Sequence, residues 1–183
     1  PIMPAIEYIA FTAQASAGKN GKYSARMPSD QIDHAIEMAK HINGIVILDV
    51  QAGTSNIQKE IHLLEPYLKL PQVHLAIDPE FNMKYGNPPG TVVGTVDATD
   101  INATTQYLAS LVQKYKLPPK ILVIHRFTER MITHTQKIHL LPEVQIVMDM
   151  DGWGSPSRKK RTYRDVITRN PVQFTGFKLF YKN

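Results

Sequence analysis

The feature that most constrains this chain is an alternation. Short runs nearly continuous in Ile, Val and Leu are separated by stretches of helical periodicity along almost the whole length. Such runs are expected of parallel strands covered on both faces, with the intervening helices as crossovers. The pattern predicts strands over Ala5–Thr12, Ile45–Val50, Val73–Asp78, Ile121–His125, Val144–Asp149 and Phe174–Phe180, and a weaker one over Thr91–Val96. Ile32, Ala35, Ile36 and Ala39 form one helical face behind Ser29 as a cap. Ile57, Ile61, Leu64 and Leu68 form a second behind Ser55, with Gln58 at capping-box spacing. Ile101, Leu108, Leu111 and Val112 form a third behind Asp97 or Asp100. A shorter helix is expected after Thr128 and another over 157–168.

This succession defines an α/β class, read as one domain over 1–183. The favoured architecture is a TIM-barrel-like (β/α) fold lacking its first strand and helix; the alternative is an open doubly wound parallel sheet. Six good strands fall short of the eight a full barrel needs. No phosphate-binding glycine motif follows the first strand: Gly18-Lys19-Asn20-Gly21 has neither the Walker spacing nor its Ser/Thr. The chain starts Pro1-Ile2-Met3-Pro4, so a longer precursor is expected.

Composition removes several chemistries. There is no Cys, which excludes disulfides, thiolate zinc sites and a Cys nucleophile, and fits export better than the cytosol. No apolar run approaches the roughly 18–20 residues of a membrane span, so no transmembrane segment is expected. The net charge of +5 invites a polyanion. However, the basic run Arg158-Lys159-Lys160-Arg161 with Arg164 opens an expected helix without aromatic interleaving, and reads as a solvated face rather than a nucleic-acid patch.

The strand ends carry the chemistry. In a parallel α/β fold they converge on one face, where ligands bind. Here they read Asp49-Val-Gln51, Asp78-Pro-Glu80, His125-Arg126, Asp149-Met-Asp151-Gly-Trp153 and Lys178-Leu-Phe-Tyr181. With a strand period of two, Asp49 and Gln51, Asp78 and Glu80, and Asp149 and Asp151 each point to one side. Asp49 alone is an ordinary turn or cap residue. Asp78-Pro-Glu80 is less ordinary, because the proline between two acids fixes φ and removes a donor. His125, directly after Ile-Leu-Val-Ile, is expected inward and near the mouth.

Crowded carboxylates separate one another's pKa values, supplying the protonated and ionised pair that glycoside hydrolysis uses. The leading expectation is therefore a glycoside-hydrolase-like enzyme acting on an envelope or extracellular carbohydrate. Asp78 and Glu80 are the acid and the nucleophile or base, tuned by Asp49, Asp149 and Asp151. Gln51, His125, Lys178, Tyr181, Tyr23 and Arg26 are the expected substrate contacts, and Trp153 stacks on a sugar ring. No metal or other cofactor is expected under this reading. One alternative is a metal-dependent phosphodiesterase using Asp49, Asp78, Glu80 and His125 as ligands for a divalent ion. The other is a non-catalytic carbohydrate-binding envelope protein. The remaining histidines show no HExxH-like spacing.

The motifs Leu-Asp49-Val-Gln51-Ala-Gly, Ala-Ile-Asp78-Pro-Glu80-Phe, Val-Ile-His125-Arg-Phe, Asp149-Met-Asp151-Gly-Trp-Gly and Lys178-Leu-Phe-Tyr181 occur in this order over nearly the whole chain. Together they resemble a family of bacterial exported, lipoprotein-type α/β-barrel proteins. The resemblance implies an envelope or secreted location, a barrel-like fold and further residues before Pro1. Where that family usually has Glu-Trp, this chain has Glu80-Phe81, which keeps an aromatic. The resemblance implies no particular activity.

Overall fold

The computed structural model describes residues 2–180. In chain order its elements are β1 (Ala5–Ala13), β2 (Ser24–Arg26), α1 (Ser29–His41), β3 (Ile45–Val50), α2 (Ile57–His62), α3 (Glu65–Leu68), β4 (Val73–Ile77), β5 (Val96–Asp97), α4 (Ala98–Tyr115), β6 (Lys120–Arg126), β7 (Ile132–Thr133), β8 (Val144–Met150), α5 (Pro156–Thr162) and β9 (Phe174–Phe177). The six strong apolar runs are all strands. The weaker expectation over Thr91–Val96 shrinks to β5, which pairs with β7 in a separate two-stranded sheet. Val92 and Val93 are exposed, so that segment has no apolar face to bury. β9 stops at Phe177 rather than Phe180 because β8, its only neighbour among the described residues, ends at Met150 opposite Phe177.

The main sheet runs β2-β1-β3-β4-β6-β8-β9. β2 is antiparallel to β1; the other pairings are parallel. The parallel strands follow chain order without reversal, so the switch point that defines a doubly wound sheet is missing among the described residues. The outermost strands β2 and β9 do not pair with each other, and no closed barrel forms among the described residues. What stands is a mixed α/β fold with a seven-stranded, mostly parallel sheet flanked by helices.

Right-handed crossovers between strands taken in order place their helices on one side of the sheet. The core follows suit. Val46, Leu48 and Val50 of β3, Leu75 and Ile77 of β4, Leu122 and Ile124 of β6, and Ile146 and Met148 of β8 form one cluster with Ile32 and Ile36 of α1, Ile57 and Ile61 of α2, and Ile101, Leu108 and Leu111 of α4. A bulge between Ile9 and Phe11 turns both Ala10 and Phe11 into this core. The alternate residues of the same strands point to the other face, and none of Ile9, Ile47, Ala76, Val123 or Val147 joins the cluster. That face carries the site.

Capping explains where the helices start. Asp97 accepts from Thr99 N while Asp100 accepts from Asp97 N, a reciprocal box that opens α4. Asn56, not Ser55, caps α2 by accepting from Lys59 N, and Ser55 donates its hydroxyl to Glu60 instead. Pro28 precedes Ser29, which is already in the first turn of α1 and makes no side-chain cap.

Candidate active site

The face away from the helices brings the strand-end residues into rows. His125 of β6 pairs with Asp149 of β8, and Asp149 with Gly176 of β9. Continued one residue past Ile77↔Ile124 and Val50↔Ile77, the register sets Asp78 beside His125 and Gln51 beside Asp78. Gly176 is required in this row: a Cβ there would lie 2.4 Å from Asp149 Oδ1. Only a residue without a side chain leaves that carboxylate its place.

His125 is the hub and is 1% exposed. Its Nε2 lies 3.1 Å from Glu7 Oε1 and 4.0 Å from Asp49 Oδ1, and its Nδ1 lies 3.5 Å from both Asp149 Oδ2 and Asp151 Oδ2. Asp49 Oδ1, Asp151 Oδ1 and His125 Nδ1 are buried without a hydrogen-bond partner. Asp78 Oδ1 accepts from Glu80 N at 3.1 Å, and Asp78 Oδ2 faces Gln51 Nε2 at 3.5 Å. Gln51 is itself fixed by Ala13 N, which donates to its Oε1 at 3.0 Å.

Burial sets the electrostatics. It raises the Asp78 carboxyl to about 8, reinforced by the charges of Asp49, Asp151 and Glu80 and opposed by His125. Burial likewise raises Asp49 to about 6, with His125 and Lys178 pulling the other way. Glu80 and Asp151 are also raised, again chiefly by burial. Glu7 moves down, because the imidazole beside it outweighs its desolvation. For His125 burial favours the neutral ring, but Asp149, Glu7, Asp49 and Asp78 together overcome it and hold its pKa well above the usual value. Neighbouring carboxyls thus differ in their hold on a proton.

Above this row, the turn at 79–81 places Glu80 on the wall of a cleft of about 350 Å³. Phe127, Thr128, Trp153 and Arg158 are among the other residues of the wall. Trp153 is 73% exposed and its ring lies 5.6 Å from the Arg158 guanidinium. Arg158 is exposed, as expected of the basic run, and also borders the cleft. Lys159 departs from that expectation: it is buried, with its ammonium donating to Lys178 O.

The structure thus gathers Asp49, Gln51, Asp78, Glu80, His125, Asp149 and Asp151 around one mouth, with Trp153 across the cleft. Lys178, at the end of β9, is exposed, and its charge acts on Glu7, Asp49, Glu80 and Asp151. Arg26 is not brought in. It forms a two-pronged pair with Glu60 of α2 at 2.9 and 3.1 Å, because the antiparallel turn into β2 carries it to the sheet edge. Tyr23 sits in that turn at φ 52° and makes no side-chain hydrogen bond to the acids among the described residues. Tyr181 lies outside the described residues. Glu7 joins the site from mid-strand rather than from a strand end, and its sequence signal is a lone charge inside the otherwise uncharged Ala5–Ala13. Comparison of the chain with protein-family models, curated proteins and solved structures finds no match.

Proposed function

We propose that this site hydrolyses a glycosidic bond of an envelope or extracellular carbohydrate. The observation that carries the reading is the unequal pair at the end of β4. Asp78 is buried and keeps its proton near neutral pH, while Glu80, two residues on, is half-buried and faces the cleft opposite Trp153. In this role Asp78 gives its proton to the departing glycosidic oxygen as that bond breaks. Glu80 attacks the anomeric carbon or activates water to do so, and Trp153 holds the ring. Asp149 and Asp151 maintain the local charge against His125.

The corresponding architecture is the wall of a (β/α) barrel. Supporting it are the chain-order strands and the reach of side chains across the sheet. β1 and β6 are three spacings apart, about 14 Å in a flat sheet, yet Glu7 and His125 meet at 3.1 Å.

The test is a reducing-end assay over a panel of envelope polysaccharides. Glu80→Gln and Asp78→Asn should each lower kcat by about 10²–10⁴, and Trp153→Ala should mainly raise KM. Full activity in both acid variants would sink the proposal. Binding without turnover that disappears in Trp153→Ala would replace it with a carbohydrate-binding role.

A further inference from the structure

Three side chains at the base of the site converge from three strands without a common partner: Glu7 of β1, Asp49 of β3 and His125 of β6. One donor atom from each lies within 4.8 Å of the others. The geometry points to a divalent-cation site formed by Glu7 Oε1, Asp49 Oδ1 and His125 Nε2, suited to Mn²⁺ or Zn²⁺.

Four observations carry it. First, the donor separations are near those a bound ion needs. Ligands about 2.1 Å from an ion stand about 3.0 Å apart at octahedral cis positions and about 3.4 Å apart on a tetrahedral edge. His125 Nε2 and Glu7 Oε1, 3.1 Å apart, fall between these values, while Asp49 Oδ1 at 4.0 Å from Nε2 has to close in by roughly half an ångström. Second, Asp49 is 2% exposed and its Oδ1, aimed at the imidazole, has no hydrogen-bond partner. A buried acceptor of that kind is costly unless something positive meets it. Third, carboxylates stand behind the ring: Asp149 and Asp151 lie 3.5 Å from Nδ1, which has no hydrogen-bond partner, so a small approach by either would give it one. A carboxylate behind a ligating imidazole is the usual outer shell of a metal histidine, fixing its tautomer and orientation. Fourth, Glu7 is 37% exposed at its side chain, which gives an ion a way in from solvent.

The ion class follows from the donor set. An imidazole nitrogen with two carboxylates suits borderline first-row ions, whereas Ca²⁺ seeks six to eight oxygens. Three protein ligands leave positions for water or a substrate hydroxyl. The ion's charge also opposes the crowding of Asp49, Asp78, Asp149 and Asp151 around one histidine.

The experiment needs no substrate, so its outcome is independent of whether the site turns over a carbohydrate. EDTA-treated full chain is titrated calorimetrically with MnCl₂, ZnCl₂ and CaCl₂, and thermal midpoints are recorded alongside. One equivalent of Mn²⁺ or Zn²⁺ should bind and raise the midpoint, with Ca²⁺ weaker. Asp49→Asn and Glu7→Gln should each weaken binding at least tenfold, and Asp149→Asn about 10–100-fold through the ring it orients. Asp97→Asn, which breaks the exposed pair with His134, should leave affinity unchanged. Glu7 is exposed, so Glu7→Gln reports on the site even if the buried variants fold poorly. No heat or midpoint shift at 1 mM of either ion, or affinity unchanged in Glu7→Gln and Asp49→Asn, overturns the site. Ca²⁺ binding tighter than both overturns the ion class.

Discussion

Asp78→Asn should make the metal-free protein more stable at neutral pH while removing its activity, and the gain should vanish in acid. Asp78 has a folded-state pKa of about 8 against 3.8 for a free side chain. Between those values the native state retains a proton that the unfolded chain has released. Stability therefore rises as pH falls through that window and is lowest above about 8. At pH 7 the difference spans about three pKa units at about 1.4 kcal/mol each, a cost of about 4 kcal/mol. Asparagine has no proton to retain and still accepts from Glu80 N. It loses the contact with Gln51, whose own oxygen is committed to Ala13 N, at about 1 kcal/mol. The net stabilisation is about 3 kcal/mol at pH 7 and falls to roughly zero near pH 4. Urea unfolding of both proteins in EDTA, at half-unit pH steps from 4 to 8, reads the difference directly. A difference that stays flat with pH, or a variant less stable at pH 7, would refute the account of Asp78 as a carboxyl kept neutral by burial.

Other expectations follow from groups beneath the site. His74 is buried and its Nδ1 accepts from Ile121 N, which requires a neutral ring; its pKa is lowered to about 4, chiefly by burial. Its contribution should be complete above pH 6.5 and lost as pH falls toward 4, about 3 kcal/mol in all. A His74→Gln variant should lack that part of the acid slope in urea unfolding. Lys120 is fully buried and its ammonium donates to Leu70 O and Val73 O. Lys120→Met should take the ammonium donor from both carbonyls, leaving Leu70 O only its bond from Val73 N, and cost about 2–4 kcal/mol, seen as a lower urea midpoint at constant m. Gly176→Ala should cost about 1–3 kcal/mol by displacing the Asp149 carboxylate. Combining it with Asp149→Ala should recover most of that loss in a double-mutant cycle.

The strands were legible because Ile, Val and Leu dominate them, and Asp97 with Asp100 announced α4. β2 was not, since Ser24-Ala25-Arg26 carries no pattern and forms only because β1 runs past its parallel partner to Ala13. The strand-end acids were legible through period two, which the register bore out for Asp149 opposite His125. Glu7 was hidden by position, and the role of Gly176 by the need to know which side chain it faces. Arg26 misled because its partner, Glu60, lies on a helix more than thirty residues later and no local signal links them. Lys120 directly follows two prolines at the start of β6, and its burial depends on carbonyls of Leu70 and Val73 at the neighbouring strand's start, which no local signal links to it.

The order β1-β3-β4-β6-β8-β9 has a consequence for synthesis. Each strand leaving the ribosome finds its dock already made and adds to one growing edge, so no later strand must be inserted between earlier ones. Assembly of charge is less even. Glu7, Asp49, Asp78 and Glu80 are all made before His125, and Lys178 follows some fifty residues after it. A nascent sheet stalled before β6 holds its acids without their counter-charge, so the centre of the molecule is its final part to become electrostatically comfortable.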